Sequence, residues 1–149
     1  KFYFRLETPL RIKQLKEKIE RQKLSQAILK KRTEENRLYK MNILKENTRK
    51  EFDKIIFTSA EIRDLSYYSV FDADMSFLIE SQKNVVKQAQ EAYERCTNNF
   101  ISSRRERQIY EKIKEHQYKE YNMILNREEQ KITDELGNIN YSRLGEETT

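Results

Sequence analysis

Residues able to make or break bonds are few in this chain. It has one cysteine, Cys96, and one histidine, His116. A thiolate nucleophile needs a base within hydrogen-bond reach, and a zinc site needs several N or S donors converging on one point. Both residues fall within one helical run, where a rise of 1.5 Å per residue sets them about 30 Å apart. They cannot act together within one chain. His116 has Lys112, Lys119 and Glu120 within a turn and reads as a solvated helix residue. The two glycines, Gly137 and Gly145, are isolated, so no Gly-rich phosphate loop is present. Carboxylates such as Glu34-Glu35 and Glu128-Glu129 read as solvated faces, and Glu46 with Lys50 as an i,i+4 pair. No catalytic residue, metal site or cofactor is expected, and the chain is read as a non-enzyme.

Charge and aromatic residues are patterned instead. Residues 1 to 32 carry eleven Lys/Arg against Glu7, Glu17 and Glu20, a net +8, whereas residues 57 to 100 are net −3. The basic groups alternate with acids, as in Arg104-Arg105-Glu106-Arg107, which weakens phosphate affinity. Nucleic acid is therefore not expected, leaving a solvated face or the acidic surface of a protein partner. A second cluster places Tyr67, Tyr68, Phe71 and Met75 among Asp64, Asp72 and Asp74. Tyrosine and methionine suit adaptable protein contacts, although these residues could equally close a coiled coil at its turn.

The elements that position these groups must be helices. Of 149 residues 37% are charged and 36% hydrophobic, with two glycines and one proline, so almost nothing interrupts a helix. The apolar residues are too thin for a globular core but sufficient for a seam. From Leu10 they recur as Ile12, Leu15 and Ile19, then Leu24, Ala27 and Ile28, then Leu38, Met41, Phe52 and Ile55. Steps of three and four dominate, but the stripe drifts across Lys45 and Thr48, and an irregular register is expected. Thr8 is the expected N-cap with Pro9 in the first turn.

Reversal is expected at Thr58-Ser59-Ala60-Glu61, a capping-box pattern flanked by Phe57 and Ile62, with Ser69 to Asp74 as the rival position. Beyond it Leu65, Tyr68, Phe71, Met75, Leu78 and Gln82 lead through Val85 or Val86, Ala89, Ala92 or Tyr93, Cys96 and Phe100. Gly137 is the expected αL cap. The expected fold is all-α, a single elongated coiled-coil hairpin of two long antiparallel helices, the second longer. Helix 1 is placed at about 9–56, the turn at 57–58, helix 2 at about 59–137 and a flexible tail at 138–149. In that register the stripe from Tyr110 to Ile124 has no partner in the chain, and a partner in trans is expected. The lone cysteine fits a reducing compartment, and no apolar run reaches the roughly 18 residues of a membrane span. A cytoplasmic protein without membrane insertion is expected.

Three segments resemble one family. Phe2-Tyr3-Phe4-Arg5-Leu6-Glu7-Thr8-Pro9-Leu10 is similar to the N-terminal F-x-F-R-L-E-x-L-L signature of the flagellar export protein family FliJ, with Pro9 where the family usually has Leu. The stretch from Ser59 to Gln82, with Tyr68, Phe71 and Ile79-Glu80-Ser81-Gln82, resembles the segment after that family's turn. Arg104-Arg105-Glu106-Arg107-Gln108-Ile109-Tyr110-Glu111-Lys112-Ile113-Lys114-Glu115 is similar to its R-x-E-x-x-x-L-E-K-L-K-E pattern.

The resemblance implies a component of the flagellar type III export apparatus, similar to the central stalk of rotary ATPases. It implies a monomer at the cytoplasmic face of the flagellar base that binds and stimulates the hexameric export ATPase and couples it to the export gate protein FlhA. Export chaperones are further partners it implies. Carried onto this sequence, Phe4, Leu6, Arg11, Arg104, Arg105, Arg107, Lys112 and Ile113 are the expected ATPase-binding residues. Met41, Leu44, Tyr68, Phe71, Met75, Leu78 and Gln82 are the expected gate-binding face. The competing functions are a self-associating structural coiled coil and a chaperone of export substrates. Whether the pathway is flagellar or the related virulence type stays open at this point.

Overall fold

The computed structural model describes residues 2–59 and 61–146. Two helices account for nearly all of them: α1, Glu7–Ser59, of 53 residues, and α2, Ile62–Glu146, of 85 residues. No strand occurs among the described residues. The fold is all-α with the second helix the longer, as the composition led us to expect.

Local chemistry sets the helix ends. α1 begins two residues before Pro9: the Leu6 carbonyl accepts from the Leu10 N–H at 3.0 Å, which makes Leu6 rather than Thr8 the N-cap. Pro9 still sits in the first turn, where its missing N–H has no intrahelical partner to lose. Glu7 adds a favourable charge at the positive end of the helix dipole. At the other end Thr58 remains inside α1, its hydroxyl donating to the Lys54 carbonyl at 2.6 Å instead of capping the next helix. The cap of α2 lies one motif later, because the Glu61 N–H donates to Asp64 Oδ2 at 3.2 Å while the Asp64 N–H returns to the Glu61 carbonyl at 3.0 Å. The expected turn at 57–58 is thus displaced to the interval between Ser59 and Ile62. Ala60, part of the expected capping motif, lies outside the described residues.

The chain does not reverse at the rival Ser69–Asp74 position, nor does it stop at Gly137; α2 continues through both to Glu146. Gly137 has no positive φ. One glycine costs a helix interior about 1 kcal/mol, too little to end it among good helix formers. Of the expected tail at 138–149, residues 138–146 are helical, and 147–149 lie outside the described residues.

Internal contacts divide the chain into two units. Unit 1 comprises Lys1–Lys16 with Arg104–Thr149, and unit 2 comprises Glu17–Ser103. Each packs a piece of α1 antiparallel against a piece of α2. In unit 1 Lys13 reaches Glu106 and Glu7 reaches Lys114. In unit 2 Phe52 stacks on Tyr68, the ring centroids 4.0 Å apart, while Gln82 reaches Glu34.

The residues of α1 turned from solvent between Leu10 and Phe52 are Leu10, Lys13, Glu17, Glu20, Leu24, Ala27, Lys31, Glu34, Leu38, Met41, Lys45, Thr48 and Phe52. They alternate in steps of three and four without a break, a heptad seam. The expected drift is absent. Ile12, Leu15, Ile19 and Ile28, read as seam residues, are exposed instead. Lys and Glu can hold seam positions because their stems pack while their heads reach a partner. Lys45 Nζ lies 2.6 Å from Ser76 Oγ and 3.3 Å from Asp72. Gln82, buried, donates to a Glu34 carboxylate oxygen at 2.6 Å and to the Glu34 carbonyl at 3.2 Å. Buried polar groups left without partners each cost about 1 to 3 kcal/mol, so these pairs are conditions of the packing. Glu20 meets the condition only in part: one oxygen accepts from Lys23 at 2.8 Å and Oε2 has no partner.

Candidate partner-binding surfaces

Unit 1 holds all the residues expected at the ATPase, and they divide into two kinds. Phe4 is only 4% exposed and packs under the Lys114 ammonium, 5.6 Å from its ring centroid. Leu6 and Ile113 are half-buried. These three hold the unit together. Arg11, Arg104, Arg105 and Lys112 are exposed, and none forms an ion pair among the described residues. Arg107 is more enclosed and is tied to Glu111 one turn on. Of the expected set, the cations left outside any ion pair are therefore Arg11, Arg104, Arg105 and Lys112.

The neighbouring bases are already engaged. Glu106 is gripped by Lys13 at 2.8 Å and Lys16 at 3.2 Å. The hydrogen bond from Lys13, reinforced by that from Lys16, holds the Glu106 carboxyl below the usual carboxylate range, and the Glu106 hydrogen bond holds Lys13 above the usual lysine range. The lowered carboxylate adds stability above about pH 4 that is lost on acidification through its folded-state value. The raised lysine adds stability that persists until pH climbs through the folded-state lysine value. With 29% and 34% of the Lys13 and Glu106 side chains open to water, screening keeps the contribution small. Glu106→Gln is expected to lower Tm by a few degrees at most at pH 7, and by progressively less as the pH is lowered below the usual carboxylate range, measured by circular dichroism melts.

The stripe from Tyr110 to Ile124, expected to lack a partner, is covered over part of its length. The non-helical residues before α1 reach it, with the Phe2 ring 5.3 Å from Tyr118 and 5.6 Å from Tyr121. Helical spacing alone could not show this, because the covering residues are not helical. Farther along α2 the apolar side chains are open: Met123, Ile124, Ile132 and Leu136 are all more than half exposed.

Unit 2 holds all the residues expected at the export gate, and again they separate. Met75 is 9% and Gln82 7% exposed, both inside the seam. Tyr68 is stacked on Phe52, and Met41 and Phe71 are half-buried. Leu44, at 51%, and Leu78, at 48%, face solvent. Sequence reading placed Leu78 on the seam, but the buried residue there is Ile79. It also missed Val70 and Phe77, the latter 75% exposed. Their signal was register: neither falls on the steps Met75, Ile79, Gln82, so both must point outward.

Cys96 is a half-buried free thiol in the unit 2 seam. His116 lies 3.6 Å from Glu120 on the surface of unit 1. Among the described residues no group of three or more His, Cys, Asp and Glu could hold a metal ion. No helix among them is long and apolar enough to cross a membrane.

A helix pair with a polar seam and solvent-facing cationic and apolar surfaces defines a coiled-coil-like all-α protein. The chain belongs to the flagellar FliJ protein family, whose model matches residues 2–146, and it is a component of flagellar export. No curated protein and no solved structure matches it.

Proposed function

We propose that the chain is the stalk of the export apparatus: unit 1 binds the hexameric export ATPase and stimulates its turnover, and unit 2 engages the export gate FlhA. The observation that carries this reading is the presence, within unit 1, of exposed cations outside any ion pair among the described residues, at Arg11, Arg104, Arg105 and Lys112, together with open apolar residues at Ile124, Ile132 and Leu136. Such a surface suits a partner with acidic and apolar patches. In unit 2 the gate face is narrowed to the open Leu44 and Leu78 with the half-buried Phe71, because Met75 and Gln82 lie inside the seam. Export chaperones are further partners in this reading, and its place of action is the cytoplasmic face of the flagellar base.

Leu78→Asp separates the two activities. It is expected to weaken binding to the FlhA cytoplasmic domain by about tenfold or more, while affinity for the ATPase and helix content stay as in the parent. Equal loss of both partners from a well-folded variant would refute the assignment of separate surfaces.

A further inference from the structure

Near the helix reversal, on one side of the unit 2 helix pair, a groove of about 380 Å³ runs between α1 and α2. Its floor is the stacked pair Phe52 and Tyr68, and Ile55 and Tyr67 form its walls. Ile55 is 48% and Tyr67 70% exposed, so the apolar lining is open to a partner. Glu51 stands on the α1 bank and Asp64 on the α2 bank, and no lysine or arginine lines the groove. Glu51 has no ion-pair partner among the described residues, and Asp64 Oδ2 accepts the Glu61 N–H. Two carboxylates thus frame an apolar trough on a chain whose net charge is +5.

We propose that this groove docks a basic amphipathic helix of a partner protein, which lays an aliphatic side chain on the Phe52–Tyr68 floor and sets a Lys or Arg against each bank. Charge complementarity selects the basic partner: a cation gains from both banks, whereas an anion meets two carboxylates and no compensating base. Geometry selects a helix. The banks are themselves helices whose backbone groups are already paired, so an extended peptide would find no ladder to join, while a helix satisfies its own backbone and fits its ridge between theirs. The site goes beyond the stalk function and shares only Tyr68 and Phe71 with the gate face. Glu51 and Tyr67 belong to this site alone.

The test is fluorescence anisotropy of the full chain with three labelled synthetic peptides: a Leu/Lys amphipathic helix, the same helix with Glu for Lys, and a proline-broken Leu/Lys version that cannot form a helix. The Leu/Lys helix is expected to bind at least about tenfold more tightly than the proline-broken version, and any binding of the Glu-bearing helix to be insensitive to Glu51→Lys and Tyr67→Ser. Glu51→Lys and Tyr67→Ser should each weaken binding of the Leu/Lys helix by about tenfold, with helix content unchanged because both side chains are exposed. The overall positive charge of the chain disfavours non-specific capture of a cationic peptide, so a loss at Glu51→Lys reports the groove. Equal binding of the two Leu/Lys peptides, or no response of the Leu/Lys helix to either substitution, would overturn the proposal. Self-association of the unmodified chain in sedimentation, abolished by Tyr67→Ser, would overturn it in favour of a second copy as occupant. Leu78→Asp should leave peptide binding intact, so failure at the groove and failure of the gate assignment are read separately.

Discussion

Phe4→Ala is expected to destabilise unit 1 by about 3 kcal/mol. The side chain is 4% exposed and sits where the non-helical N-terminal residues turn into α1, so its removal leaves a cavity that a helix pair has few neighbours to fill. The Lys114 ammonium loses the ring beneath it as well, although Lys114 keeps its 2.7 Å contact with Glu7. Loosening of this segment should also uncover Tyr118 and Tyr121, now packed by Phe2. Urea unfolding followed by circular dichroism measures the cost, and hydrogen exchange locates it. A loss below about 1 kcal/mol would show that Phe4 does not anchor the unit.

Reversing three cations together, Arg11→Glu, Arg104→Glu and Arg105→Glu, should reduce affinity for the export ATPase by about a hundredfold or more. Each reversal removes an attraction and introduces a repulsion against an acidic partner, and such effects fall on the association rate and on salt dependence. Because none of the three forms an ion pair among the described residues, the fold should lose little. An unchanged Tm with abolished binding is the expected combination, read by calorimetry and by surface plasmon resonance at two salt concentrations. Retained affinity would remove the cationic array from the interface.

Fold class and helix order were legible from composition, because a chain so poor in glycine and proline has little choice. The seam was not fully legible on α1. Lys13, Glu17, Glu20, Lys31, Glu34 and Lys45 occupy six of its thirteen positions turned from solvent, so a search for apolar periodicity moves to the adjacent column of Ile12, Leu15 and Ile19. Lys13, Glu34 and Lys45 are tied to the seam by partners on the other helix, Glu106, Gln82 and Asp72, whereas Glu17 and Glu20 pair with Arg21 and Lys23 on α1 itself. Long-range pairs of that kind leave no trace in local spacing. The reversal was misplaced for a related reason: Thr58-x-x-Glu61 and Glu61-x-x-Asp64 are overlapping capping patterns, and the hydroxyl of Thr58 is satisfied inside α1. The family signature groups the residues expected at the ATPase in unit 1 and those expected at the gate in unit 2. It could not separate residues that pack from residues that face outward, since Leu78 and Ile79 are adjacent apolar side chains with opposite fates.

The stalk assignment is tested most directly by titrating the chain into the purified hexameric export ATPase and following phosphate release. Turnover is predicted to rise and saturate with the parent chain and to stay at the basal rate with the triple arginine reversal. A rate that does not change with the parent chain, with no shift in ATPase assembly, would contradict the stalk function.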